Sequence, residues 1–478
     1  NFKMKLFFQI KTFRNMISVD LKIKTIWLQK LKKNNVLSKN TFEKFILSKK
    51  TTIRLLELFY THLTKVQSIC IPYQICGFDI LGSARTGSGK TIAFLIPIIE
   101  FFYTIKWNLK NGISALIITP TRELSLQNYY VLKDLLKYHS FSHGVVMGGA
   151  SKKTEIERLE KDITILVATP GRLLDHLKTT KNIKIQNLQF LIIDEADRCL
   201  EIGFEEEIIA IVRFLPKKRQ TILFSATQTR NVQSLYKISF QKTPVLLEIK
   251  ENKKVKIIQN IEQGFVICKP DDKLVFLLTL IKKNRKKKII TFFNSCNEVK
   301  FFSALFRVIG LNVLELHGAK KQFKRTSTFF KFCKAKESIL FCTDIAARGL
   351  DIPAVDWILQ FSPPLEPKEY IHRIGRTGRG IHGKGWTLLF LYPSEIGFLK
   401  FLKNDNINIK EFIFKKKKFS LLKQRISKFI EKNFYLKKLS KLALKSFLNS
   451  YKSYRLKNIF DVKKINVKSV SEGFGLNL

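Results

Sequence analysis

The sequence predicts an α/β chain: two tandem domains, each a parallel sheet covered by helices, followed by a basic helical C-terminal extension. Three observations carry that reading. Short apolar runs alternate with longer helical patterns through most of the chain. The runs fall into two successive series, separated by a basic, strand-poor stretch at Lys250–Lys256. Beyond about residue 404 the composition shifts to Lys and Phe, with apolar residues at helical spacing.

Residues 1–41 form a basic N-terminal extension in which Asp20 is the only acid. It reads as a solvated basic arm or, alternatively, an organelle transit peptide. Its apolar run Leu6–Ile10 is short for a secretory signal. The first domain, 42–249, holds the strand-like segment Phe78–Leu81 and the runs Ala115–Thr119, Ile163–Ala168, Phe190–Ile193 and Thr221–Phe224. Such β-branched or aromatic runs, ended by polar or Gly/Pro residues, read as buried parallel strands. Residues 250–256 are a linker. The second domain, 257–403, repeats the pattern in Lys288–Phe293, Asn312–Leu316, Ser338–Cys342, Val355–Gln360 and Trp386–Leu391. The extension, 404–478, contains four consecutive lysines, Lys415–Lys418. There Leu421, Ile426, Phe429, Ile430 and Phe434 predict helices.

The 478 residues suggest roughly three domains at about 150 residues each. A 45% apolar content excludes a wholly disordered tail, and 22 Gly, 12 Pro and 7 Cys exclude collagen-like or disulfide-stapled chains. No uncharged apolar stretch of about 18 residues predicts a membrane span. Lys and Arg number 86 against 38 Asp and Glu, a net charge of +48. That excess points to a polyanionic partner, nucleic acid or an anionic surface. A/T-rich codon bias, which also enriches Asn, Ile and Phe, is an alternative contributor. The charge alone therefore supports only non-specific polyanion binding. The odd cysteine count and the lack of Cys-x-x-Cys argue against a zinc module and a disulfide framework. They fit a reducing cytosolic or nuclear setting.

The segment Phe78–Leu81 leads into Gly82-Ser-Ala-Arg-Thr-Gly-Ser-Gly-Lys90-Thr91 and then an apolar helix. Glycines at such a turn let backbone N–H groups approach phosphate oxygens, and the helix N-terminus adds a positive dipole end. Lys90 suits the β/γ-phosphates and the Thr91 hydroxyl suits Mg²⁺. Ala84 stands where the generic pattern has glycine. Asp194-Glu195-Ala196-Asp197 follows the run Phe190–Ile193. Carboxylates just past a strand end can hold a metal and orient water. Asp194 is the metal candidate and Glu195 the base candidate.

Together these motifs resemble the DEAD-box ATP-dependent RNA helicase family, over roughly residues 42–403. The resemblance implies two RecA-like domains, ATP and Mg²⁺ as cofactors, and RNA as partner. It implies a nucleotide site of Ala84, Arg85, Thr86, Gly87, Ser88, Gly89, Lys90 and Thr91. Gln67 would read the adenine edge and Phe42 pack on its ring; Tyr60 stands where the family usually has Phe. RNA-backbone contacts would come from Pro120, Thr121 and Arg122, from Gly149, and from Thr169, Pro170, Gly171 and Arg172. In the second domain Arg325, Thr343 and Arg348 would join them. Gly349 and Asp351 would serve the ribose side. Arg376 and Arg379 would be arginine fingers for the γ-phosphate, acting when the domains close. Asp197, Ser225, Thr227 and His372 would couple hydrolysis to unwinding.

Further stretches resemble the nucleolar branch that acts in ribosomal-subunit assembly. They are Phe224–Arg230, Phe292–Cys296, Ile352–Trp357, Pro367–His372, Ser450–Tyr454, Leu456–Val462 and Gly473–Gly475. This implies a monomeric nuclear, nucleolar enzyme acting on pre-rRNA, with pre-ribosomal proteins nearby. An ATP-gated RNA clamp or scaffold would need the same motifs. The extension reads equally as a helical brace on the second domain or as an RNA contact.

Overall fold

The computed structural model describes residues 41–42, 45, 47–84, 87–181, 183–225, 235–236, 238–248, 261–344, 355–377, 385–405, 407–414 and 419–476. The N-terminal arm to residue 40, the linker and Lys415–Lys418 lie outside them, as do Arg85, Thr86, Thr227, Arg348, Gly349, Asp351 and Arg379. The chain divides into two compact units, 1–249 and 250–478.

In the first unit, seven strands form one sheet in the order β3-β4-β2-β5-β6-β1-β7, every pair parallel. They are β1 (Ile80–Ser83), β2 (Ala115–Ile118), β3 (His143–Val146), β4 (Ile165–Ala168), β5 (Phe190–Ile193), β6 (Gln220–Ser225) and β7 (Val245–Glu248). The helices are α1 (Lys49–Glu57), α2 (Lys65–Ile75), α3 (Lys90–Thr104), α4 (Arg122–Leu135), α5 (Lys152–Leu159), α6 (Pro170–Thr179), α7 (Ala196–Ile202) and α8 (Glu205–Phe214). Every residue of β2, β4 and β5 is buried, because helices cover both faces of the sheet. Helix α3 is apolar around most of its circumference and buries Ile92 to Ile99 against that sheet. The register sets Ser83 beside Ser225 and Ile193 beside Leu223. The C-terminal ends of β1, β5 and β6 therefore lie side by side, where open α/β sheets bind ligands.

The second unit repeats the architecture in the order β10-β11-β9-β12-β13-β8-β14, again all parallel. Its strands are β8 (Ile261–Ile267), β9 (Lys288–Phe293), β10 (Val313–Leu316), β11 (Ser338–Thr343), β12 (Trp357–Gln360), β13 (Gly385–Leu391) and β14 (Lys410–Glu411). Its helices are α9 (Lys273–Lys283), α10 (Cys296–Val308), α11 (Gln322–Lys334), α12 (Pro367–Ile374) and α13 (Phe398–Asn404). The extension adds α14 (Phe419–Lys432), α15 (Phe434–Lys452) and α16 (Val467–Gly473).

The extension shares the core of this unit. Leu436, Phe447, Tyr451, Tyr454, Phe460 and Phe474 are buried with Phe301 and Phe302 of α10. Asn297 on α10 also donates to Ser446 Oγ on α15 at 2.6 Å. Length suggested roughly three domains; contacts resolve two units, because the extension's apolar faces complete the second core.

The expected helices are present, but their inward faces differ from the spacing argument. Ile426 and Ile430 are buried, whereas Leu421, Phe429 and Phe434 are 56%, 40% and 83% exposed. Asn433 breaks the pattern: its side chain accepts from Leu436 N and starts a new helix. Strands β3, β7, β8 and β14 were not anticipated. β3 and β8 alternate polar and apolar residues or contain glycine, and β14 is two residues long.

Candidate active site

The phosphate loop leaves β1 and closes at the start of α3. Gly87 and Gly89 hold φ values of +77° and +88°, left-handed backbone that favours glycine. A Cβ on Gly89 would lie 2.6 Å from Gln67 Nε2 and 2.9 Å from Thr64 Oγ1. That close approach has a purpose. Gln67 forms a capping box with Thr64 at the start of α2, and its Nε2 donates to Gly89 O at 3.1 Å. Gln67 thus ties α2 to the loop. Phe42 is buried in the same core cluster. Ala84 is buried too, and its N–H donates to Ser225 O at 3.2 Å, so the loop is tied to the end of β6.

Lys90, the first residue of α3, is 6% exposed, and its Nζ lies 3.4 Å from Asp194 Oδ1 at the end of β5. Burial alone would push its ammonium below the usual lysine range. The carboxylates of Asp194, Glu195 and Asp197 outweigh burial and hold it above. A cation therefore waits between the loop and three acids. The next residue, Thr91, donates through Oγ1 to Asn128 Oδ1 at 3.0 Å, and Asn128 Nδ2 donates to Asp194 Oδ2 at 3.3 Å. Asn128 on α4 so orients both metal candidates. Among the described residues Asp194 Oδ1 is a buried carboxylate oxygen with no hydrogen-bond partner. That oxygen faces only the Lys90 ammonium, at 3.4 Å, and an anionic oxygen with spare lone pairs beside an oriented threonine hydroxyl fits a hard divalent cation.

Glu195 is 8% exposed and holds φ +51°, ψ +53°, a left-handed conformation for a side-chain residue. Such strain persists where surrounding structure fixes it, commonly at functional sites. It begins α7, whose first turn carries Asp197. Ser225 is buried at the end of β6.

The proposed RNA contacts of this unit gather near the ends of β2, β3 and β4. Pro120 precedes Thr121, which caps α4 by accepting from Leu124 N. The Arg122 guanidinium lies against the loop after β3: a Cβ on Gly149 would come 2.6 Å from its Nη1. Thr169, Pro170, Gly171 and Arg172 start α6. Arg172 Nη1 donates to Glu155 Oε2 at 2.5 Å and to Ala150 O at 3.2 Å. Buried Glu155 also bonds His176 and Met147 N. Burial would raise its carboxyl, but His176, the Met147 amide and Arg172 together lower it below the usual range. The guanidinium of Arg172 is thus preset by a buried acid.

In the second unit Arg325 sits in the first turn of α11, and Thr343 ends β11. Helix α12 carries His372 outward and Arg373 inward, and Arg376 follows it, 6% exposed. Lys90, Thr91 and Asp194 therefore converge as expected. Asn128, Glu155 and Arg373 emerge only in the structure. Their one trace in the sequence is a polar residue on an inward helix face: α4 buries Glu123, Ser125 and Asn128 beside Leu124 and Leu132.

A glycine-bearing phosphate loop, a buried lysine and a paired carboxylate on a parallel α/β sheet define a nucleoside-triphosphate hydrolase. The DEAD/DEAH box helicase pattern matches residues 64–235 and the helicase conserved C-terminal domain matches 272–380. The pattern of the ATP-dependent rRNA helicase SPB4-like C-terminal extension matches 433–477. The probable ATP-dependent RNA helicase ddx18 of Dictyostelium discoideum is 50% identical over 88% of this chain and 70% of its own length. The ATP-dependent RNA helicase HAS1 of Candida albicans is 49% identical over 91% of this chain and 77% of its own. The DEAD-box helicase Mss116 bound to ssRNA and UDP-BeF superposes with a TM-score of 0.80, at 28% identity, covering 91% of each chain. The chain belongs to the DEAD-box ATP-dependent RNA helicases. It is an ATP-hydrolysing enzyme.

Proposed function

We propose that this chain couples ATP hydrolysis to the separation of short duplexes in pre-rRNA during ribosomal-subunit assembly, as a nucleolar enzyme. One observation carries the chemistry: Lys90 and Asp194 form a buried ion pair at the phosphate loop, and the paired carboxylate oxygen accepts no hydrogen bond. Lys90 binds the β- and γ-phosphates and the loop amides cradle them. Thr91 and Asp194 would hold Mg²⁺, which would neutralise charge on the phosphates. Glu195 orients and deprotonates the attacking water. Arg376 and Arg379 stabilise charge developing on the γ-phosphate. Gln67 and Phe42 serve the base, and Gly349 and Asp351 the ribose. Asp197, Ser225, Thr227 and His372 couple RNA binding to turnover.

Pro120, Thr121, Arg122, Gly149, Thr169, Pro170, Gly171, Arg172, Arg325, Thr343 and Arg348 grip sugar-phosphate, which positions RNA without reading sequence. The extension supports the ribosomal assignment, since its pattern is that of an rRNA helicase. It forms the third segment, 404–478, after domains 42–249 and 257–403 and their linker 250–256. A strand-displacement assay on a short RNA duplex tests the reading. ATP-dependent displacement is expected. RNA retention with ATP but no displacement would replace it with an ATP-gated clamp or scaffold.

A further inference from the structure

The extension reaches a polar network beneath α12, the helix that Arg376 follows. Arg373 is 2% exposed and uses its whole guanidinium. Nε and Nη2 donate to the two oxygens of Asp344 at 2.7 and 2.5 Å. Nη1 donates to Ser362 O at 2.7 Å and Gln360 Oε1 at 3.3 Å, and Nη2 donates to Asn294 Oδ1 at 3.4 Å. Five donors meet five acceptors, the full capacity of the group. The Phe292 ring lies 5.0 Å beneath. Arg373 therefore pins the last turn of α12, and its carbonyl accepts from Arg376 N at 3.3 Å.

One of the acceptors, Asn294, takes its orientation from a residue of the extension. An amide can present oxygen or NH₂ to the same neighbour. Asn294 Nδ2 donates to Tyr454 Oη at 2.5 Å, and Tyr454 Oη donates to Pro363 O at 2.6 Å. That leaves Oδ1 facing Arg373. The tyrosine is itself closely packed: 1% exposed, stacked on Phe460 at 4.0 Å and flanked by Tyr451 at 5.5 Å. Without the hydroxyl, the half-buried Asn294 N–H loses its acceptor and the amide is free to flip. A flipped amide sets donor against donor at the guanidinium, an expensive mismatch in a buried network.

We propose that Tyr454 is a positioning residue for ATP turnover: its hydroxyl sets the Asn294 amide that completes the bonding of Arg373, and so holds α12 and Arg376 in register. The inference rests on the reading of Arg376 as a γ-phosphate group.

The test uses the full chain with ATP and a single-stranded RNA. Tyr454→Phe keeps the ring packing and removes one hydroxyl. Its kcat per titrated nucleotide site falls about three- to tenfold, the size of one buried hydrogen bond. KM for ATP and the half-saturating RNA concentration stay unchanged. A purely structural role would lower the unfolding temperature and the number of active sites, leaving kcat per site intact, and that result overturns the proposal. Asn294→Ala lowers kcat similarly, and the double variant is no worse than Asn294→Ala alone; additive losses would also overturn it. Arg376→Ala is the reference. If it keeps full turnover, the arginine reading falls and the positioning role with it. If it loses turnover while Tyr454→Phe does not, only the positioning role falls.

Discussion

Asp194 and Glu195 are adjacent in sequence but sit in different surroundings. The strand carries Asp194 into the Lys90–Asn128–Thr91 cluster, whereas the left-handed turn at Glu195 redirects the chain into α7. Glu195→Gln should therefore bind ATP normally yet lose turnover at least about a hundredfold. Steady-state ATPase assays with an ATP-binding titration check this, and unchanged hydrolysis would exclude Glu195 as the base. Asn128→Ala removes the group that orients both metal candidates. The Mg²⁺ concentration for half-maximal nucleotide binding should rise about tenfold or more. An unaltered Mg²⁺ requirement would show that Asn128 serves packing alone. The phosphate loop and the three acids of Asp194–Asp197 were legible from residue order. Asn128 was not, because a buried asparagine on a helix face has no signature until the sheet brings β5 beside it.

Helix α10 holds a second titrating group. Glu298 is fully buried, and burial raises its carboxyl to about 7, against weaker opposition from Ser295 Oγ and Lys273. A raised acid binds more protons folded than unfolded between its ordinary value near 4.5 and about 7. Stability is thus lost as pH rises through that window. Glu298→Gln should raise the unfolding temperature more at pH 8 than at pH 4, and equal shifts would refute the argument. The extension's helices carry their own test. Phe447 on α15 packs on Tyr392, Tyr451 and Phe474. Phe447→Ala should cost about 3–5 kcal/mol, read by denaturant unfolding.

The opposite face of α15 exposes Phe434, Lys438, Lys441, Leu442 and Lys445, and the helix has no acidic residue. Removing the extension would uncover Phe301 and Phe302, so RNA contact is better probed on that outer face. If those lysines meet phosphates, replacing all three with Ala should lower the salt dependence of RNA binding by about two units of slope. An unchanged slope assigns the extension to bracing alone.

At the scale of the whole molecule, the sequence supports one enzyme whose ATP turnover depends on RNA. Turnover measured with and without a single-stranded RNA decides this, and equal rates would end the helicase reading. Among the described residues, no helix is long and apolar enough to cross a membrane. Ten of the fourteen described strands, the phosphate loop, the acids and the arginine motif around Arg376 were legible in the sequence. Each is a local pattern: an apolar run, a glycine spacing, a charge beside a strand end. Tertiary structure alone decided the rest. Whether the extension stands apart or completes the second core depends on which faces of α14 and α15 turn inward, and Leu421 and Phe434 turned out. The bonds that orient Asn128, Arg172 and Arg373 join residues up to 79 positions apart. Hydrogen bonds act over about 3 Å, so such partners are fixed by the packing of strands and helices and not by their order along the chain.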